Sequence, residues 1–335
     1  MTIPDRMLAW QVTRLGEPLD VMVLDEVPVP VPGPGQALVE VWSTALNFPD
    51  VLMARGRYQE RPPLPFTPGI EFCGMVVAVG PGVEPSRVGE RVIGTPKPPH
   101  GALARYAVVD DADLYTAPPG LDDASASAMH IAYQTGWFGL YRRAALRVGE
   151  TLLVNAAAGG VGSAAVQLGK AAGARVVGVV GSAEKAEVAR ALGADLVVDR
   201  TSQDVVEAVR SVTGGRGADV VFDPVGGDAY TTATRAVAFE GRVVVVGFAG
   251  GVVTETPLNH VLLKNYSIIG LHWGLYRRLD PKLVRRAHDD LCNLVEAGGI
   301  RPLVSARLPF EEAASGLARL GHGETVGRVT VLPPT

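Results

Sequence analysis

The segment Thr151-Leu-Leu-Val-Asn-Ala-Ala-Ala-Gly-Gly-Val-Gly162 runs an apolar stretch into closely spaced glycines and then into a second apolar stretch. Gly159, Gly160, Val161 and Gly162 have the spacing of a turn that admits a pyrophosphate. Gly159 lets backbone approach it, Gly160 permits the tight turn, and Gly162 allows close helix–strand packing. The helix that follows offers free N–H groups and the positive end of its dipole. About 20 residues further on, a unit built for NAD carries Asp or Glu against the ribose hydroxyls. Val180 stands there, followed by Ser182 and Lys185, with Arg200 beyond the next apolar run. A hydroxyl and two cations suit a 2′-phosphate, because charge-assisted hydrogen bonds contribute about 1.5–3 kcal/mol each. The pattern predicts NADPH as cofactor. Asp223-Pro-Val-Gly-Gly227 and Val246-Gly-Phe-Ala-Gly250 each follow an apolar run. Loops at the carboxyl ends of parallel strands line the ligand crevice, so Val225, Gly226, Gly247, Phe248 and Ala249 are assigned to the nicotinamide half.

These residues need a doubly wound sheet to hold them. Strands are expected over 151–155, 175–179, 196–198, 219–222 and 242–246, with helices over 161–172, 183–192, 203–212 and 228–239 between them. The strands are largely unbroken Val/Leu runs, as in a parallel sheet covered on both faces, and 267–271 extends the series. The first ~125 residues read differently, as short alternating strands (37–43 and much of 73–79) punctuated by proline clusters at Pro28–Pro34 and Pro62–Pro68. Within them, Asn47-Phe-Pro-Asp50 reads as a helix N-cap with Pro49 in the first turn and Gly56 at the end. After Gly274 come a helix over 281–297, a strand near Val304, a short helix over 311–320 and a last strand over 328–332. The fold expected is α/β: a Rossmann-type doubly wound parallel sheet (127–273) inserted into a β-rich domain (1–126 and 274–335).

Composition narrows the partners. A chain of 335 residues, 47% hydrophobic and 20% charged, can bury two cores. A net charge of −4 without clustered cations argues against nucleic acid or an acidic membrane surface as partner. Cys73 and Cys292 are too few for a disulfide framework or a four-cysteine zinc site. His100, His130, His260, His272, His288 and His322 show no metal-ligand spacing. No run of ~20 apolar residues is present, and the first ten residues lack a signal pattern, so a cytoplasmic protein is expected.

Asn47-Phe-Pro-Asp50, Gly56-Arg-Tyr58, Pro65-Phe-Thr-Pro-Gly-Ile-Glu71, Gly74 to Gly80, Val88-Gly-Glu-Arg-Val92, Ala156 to Gly162 and Leu192-Gly-Ala194 together resemble the medium-chain dehydrogenase/reductase superfamily, in its zinc-free, zeta-crystallin-like quinone oxidoreductase branch. The resemblance runs essentially end to end and implies that the β-rich domain is GroES-like. Zinc-dependent members carry cysteine where Asn47 stands, histidine where Ile70 stands and a further ligand near Ile131; the structural-zinc lobe is missing between Gly94 and Tyr106. An amide and two isoleucines do not replace those ligands, so no metal is expected. Without a Lewis acid, direct alcohol oxidation is disfavoured. The branch reduces quinones or α,β-unsaturated carbonyls, whose anionic products need hydrogen-bond donors and a proton.

The resemblance further implies a catalytic group of Asn47, Asp50 and Tyr58. Asn47 would hydrogen-bond a carbonyl or a cofactor hydroxyl, with helix capping as the alternative. Tyr58, a phenol protonated at neutral pH, would be the proton donor, or else line the pocket. Thr135 would lie near the nicotinamide carboxamide and Arg328 would face the adenine end. The expected activity is zinc-independent, NADPH-dependent reduction of a small quinone or enone, in a homodimer formed through edge strands near 262–271. An enoyl-thioester or enone reductase using Tyr58 is the second reading. A crystallin-like NADPH-binding structural or regulatory protein without turnover is the third.

Overall fold

In the computed structural model, residues 3–334 are described. The chain forms two compact units, Ala132–Arg301 and the residues on either side of that span.

In Ala132–Arg301 the apolar runs become a six-stranded parallel sheet. Its strands are β1 (Thr151–Val154), β2 (Arg175–Val180), β3 (Leu196–Asp199), β4 (Ala218–Asp223), β5 (Val237–Val245) and β6 (Ser267–Gly270), in the order β3-β2-β1-β4-β5-β6. The order reverses between β1 and β4, the kind of position at which open parallel sheets bind ligands beyond the carboxyl ends of their strands. Leu152, Leu153, Val177, Val221 and Val243 are wholly buried, as strands covered on both faces require. Helices α1 (Gly160–Ala171), α2 (Ala183–Ala191), α3 (Val205–Val212) and α4 (Gly227–Ala236) connect them. Ser182 and Asp204 cap α2 and α3 with their side chains. Gly159, at the N-cap of α1, has no side chain to take up the first N–H groups. A Cβ on Gly162 would lie 2.0 Å from the Ala156 carbonyl oxygen, so only glycine lets α1 pack this closely on its turn.

Two expected elements differ. The helix over 228–239 stops at Ala236, because Val237 is buried and pairs with Ala218 as the start of β5. The helix Pro281–Glu296, grouped with the C-terminal tail in the sequence reading, belongs to this unit. Its face of Val284, Ala287 and Leu291 is buried, and the Gln134 amide donates to the Val284 carbonyl at 3.0 Å.

The other unit is built round the strand Gln36–Ala45, which pairs antiparallel with Phe72–Val79, Tyr106–Asp110 and Arg328–Val331. Val304–Leu308 adds in parallel to Arg328–Val331, so the chain beyond Pro302 completes this sheet. Trp10, Leu46, Val51, Phe66, Phe310 and Leu317 form a core here, and Tyr58 and Ile70 pack against it.

Candidate active site

Asn47 follows the strand Gln36–Ala45 and caps the helix Phe48–Ala54. It is only 3% exposed. Its Nδ2 donates to the Ala45 carbonyl at 3.0 Å and to Glu71 Oε2 at 2.9 Å, and its Oδ1 accepts from Arg328 Nη1 at 2.9 Å. Glu71 is fully buried, accepts the Ile131 N–H at 2.7 Å and forms an ion pair with Arg328 Nη2. Asp50, also fully buried, accepts the Asn47 N–H at 3.0 Å, the Gly69 N–H at 2.9 Å and the Ile70 N–H at 3.2 Å.

This arrangement revises three expectations. Both N–H bonds of the Asn47 amide are engaged, so Asn47 has no donor left for a substrate carbonyl, and the capping role prevails. Asp50 braces the 69–70 backbone against the start of the helix and touches no open surface. Arg328 does not extend toward an adenine: its guanidinium is held between Asn47 and Glu71, because a buried cation needs a carboxylate and further acceptors beside it. Glu71 is the residue the site assignment lacked. Its signal was an acid between Ile70 and Phe72 at the start of an apolar strand, where a charge must find a partner. Tyr58 lies four residues past the helix, half-buried against the core of the same unit.

In the other unit, the glycine turn stands at the carboxyl end of β1. Ala156 adopts a left-handed conformation, the Ala157 N–H donates to the Val179 carbonyl at 3.0 Å, and α1 begins at Gly160 with Val161 half-buried beside it. At the end of β2, Ser182 Oγ accepts the Lys185 N–H at 3.2 Å. The Arg200 N–H donates to the Val180 carbonyl at 3.0 Å, and a Cβ on Gly181 would lie 3.2 Å from the Arg200 guanidinium. Ser182, Lys185 and Arg200 are therefore gathered round one turn. Val225 and Gly226 are tied to the second loop, since the Pro224 and Val225 carbonyls accept the Ala249 and Gly250 N–H groups at 3.0 and 2.9 Å. Gly247 is half-buried and Phe248 and Ala249 are exposed in that loop. Thr135 is buried on the helix His130–Trp137.

A parallel sheet with this switch point and glycine turn, joined to a β-rich unit that carries buried polar groups, defines a dinucleotide-dependent oxidoreductase of the two-domain type. The family described as alcohol dehydrogenase GroES-like domain matches residues 33–119, and that described as zinc-binding dehydrogenase matches residues 160–288. Quinone oxidoreductase-like protein 2 of Bos taurus is 38% identical over 310 residues, covering 92% of this chain and 88% of its own. A solved structure of a probable oxidoreductase from Mycobacterium abscessus is 37% identical with a TM-score of 0.88, covering 99% of this chain and 100% of that one. Mycobacterial Rv1454c, solved complexed with NADPH, has a TM-score of 0.90 at 29% identity, covering 98% of this chain and 100% of that one. The chain belongs to the medium-chain dehydrogenase/reductase superfamily, in its quinone oxidoreductase branch.

Two outcomes follow from the buried network. Arg328→Met leaves Glu71 as an uncompensated buried charge and should lower stability by about 3–5 kcal/mol in urea denaturation. The double variant Glu71→Gln/Arg328→Met should lose less than the single one; a larger loss in the double variant would count against a mutually dependent pair. The second outcome concerns pH. Burial pushes the Asp50 carboxyl up to about 7 from an ordinary 3.8, against its backbone N–H donors and the nearby Arg328 charge. The folded state then binds this proton more tightly than the unfolded chain. Stability from this group is complete below about pH 4 and is lost as pH rises through about 7, by at most ~1.4 kcal/mol per unit. Between pH 5 and 7 the urea midpoint of wild type should fall relative to that of Asp50→Asn, and a constant gap between them would exclude this titration.

Proposed function

We propose that the protein is an NADPH-dependent reductase of quinones and related conjugated carbonyls that works without bound zinc. The observation that carries the cofactor reading is the end of β2, where Val180 replaces the acid that selects NAD and Ser182, Lys185 and Arg200 surround one turn. The NADPH complex of the mycobacterial relative supports the same choice. NADPH supplies a hydride when bound. Gly159 to Gly162 and the start of α1 receive its pyrophosphate, and Ser182, Lys185 and Arg200 hold the 2′-phosphate. Thr135 and the backbone at Val225, Gly226, Gly247, Phe248 and Ala249 hold the nicotinamide half. Hydride addition to a conjugated acceptor produces an enolate or hydroquinone anion, and the Tyr58 hydroxyl is the group that protonates it. Asn47, fixed by Glu71 and Arg328, keeps the start of the Phe48–Ala54 helix in place.

Asn47, Ile70 and Ile131, at the positions of the catalytic zinc ligands in zinc-dependent relatives, offer one amide, already bonded, and two alkyl groups, a donor set that does not fit zinc. The acceptor is a small molecule, and no helix among the described residues is long and apolar enough to cross a membrane. The edge strand β6 and the helix Leu258–Lys264 carry Ile268, Leu258, Leu262 and Leu263 exposed, which supports a homodimer through this edge.

Consumption of NADPH and NADH is measured against a quinone and a crotonyl thioester, in wild type and Tyr58→Phe. NADPH should be preferred by about tenfold or more in kcat/KM, with the quinone reduced. Tyr58→Phe should lower the rate by about 10²-fold. Equal use of NADH would overturn the cofactor assignment. Reduction of the thioester alone, lost in Tyr58→Phe, would make the protein an enoyl-thioester reductase. Tight NADPH binding with no turnover on either acceptor would favour the crystallin-like reading. In sedimentation velocity the wild type should run as a dimer and Leu262→Glu/Leu263→Glu as a monomer; an unchanged dimer would place the interface elsewhere.

A further inference from the structure

Asp223 closes β4 with its carboxylate fully buried and without a cationic partner among the described residues. A desolvated anion of this kind persists only where donors converge on it. Here Asn155 Nδ2 donates at 2.9 Å, the Val225 N–H at 3.1 Å and the Gly226 N–H at 3.2 Å. Asn155 is itself buried at the end of β1, with its N–H on the Phe222 carbonyl at 3.0 Å and its Nδ2 also on the Ala229 carbonyl at 3.3 Å. The pair thus spans β1 and β4, the two strands between which the sheet order reverses. Gly226 adopts φ +73°, and a Cβ there would lie 2.8 Å from both the Phe248 ring and the Val252 carbonyl oxygen. With the carbonyls of Pro224 and Val225 bonded to Ala249 and Gly250, the 224–227 turn and the 247–250 loop are held as one piece. Its anchor on the sheet is the Asp223 side chain.

We infer that Asp223, oriented by Asn155, is a positioning residue that presets the 224–227 turn and the 247–249 backbone for the nicotinamide half of the cofactor. The inference rests on the NADPH reading proposed above. All three groups on Asp223 are donors, and a carboxylate only accepts. In Asp223→Asn, whichever way the amide turns, its NH2 faces at least one of them, so the turn loosens while the end of β2, where the 2′-phosphate is held, keeps its own contacts.

The test measures binding of NADPH and of 2′,5′-ADP, which carries the adenine-side phosphate and no nicotinamide. Asp223→Asn should raise the Kd for NADPH by about tenfold or more and leave that for 2′,5′-ADP within about twofold. Asn155→Ala should act in the same direction, more weakly, and carries the test if Asp223→Asn does not fold. Equal weakening of both ligands would reduce Asp223 to a general structural role, and an unchanged NADPH affinity would also overturn the inference. Wild type that binds neither ligand would overturn the NADPH reading itself, and this inference with it. Wild type that binds both, beside variants that do the same, would overturn this inference alone.

Discussion

Three carboxylates that folding takes out of water, Asp50, Glu71 and Asp223, set the requirements that their surroundings meet. A buried carboxylate costs several kcal/mol unless donors or a cation compensate it. Each of the three solves this differently. Glu71 takes the Arg328 guanidinium together with the Asn47 amide and the Ile131 N–H. Asp50 takes three backbone N–H groups and ties a loop to a helix start. Asp223 takes two backbone N–H groups and one amide, and shapes a loop at the switch point of the sheet.

The same requirement changes the division of labour among the polar residues. In a zinc-dependent relative, a metal would supply the positive charge near position 47. Here the positive charge is Arg328, and it is already neutralised by Glu71 and bonded to Asn47. A saturated guanidinium cannot polarise a carbonyl as a Lewis acid does. At the end of β2 a different arrangement holds, with half-buried Ser182 and Lys185 and exposed Arg200 gathered round one turn.

Much of the fold was legible because its signals are local. Largely unbroken Val/Leu runs alternating with helical stretches located five strands and four helices of the parallel sheet within a few residues. The turn at Gly159 to Gly162 was legible for the same reason, since close packing on Ala156 excludes any larger residue at 162. Val237–Phe239 misled the helical reading because a β-branched and aromatic stretch adjoining a helix carries both patterns, and pairing with Ala218 decided for strand.

Sequence by itself determined the superfamily, the βα order, the glycine turn and the absence of acid at Val180, all matters of residue type within a short window. Tertiary structure decided which polar groups remain available. Asn47 was compatible with both capping and substrate contact until Arg328, 281 residues away, and Glu71 took up its amide. The resemblance set Arg328 toward the adenine end, and the fold instead buries its guanidinium between Glu71 and Asn47. Asp223 read as the first residue of a loop after a strand, and the structure makes it the last residue of that strand, with Asn155 at the end of a neighbouring strand converging on it. Whether a hydrogen-bonding group is free depends on partners remote in the chain, and folding alone brings them within 3 Å.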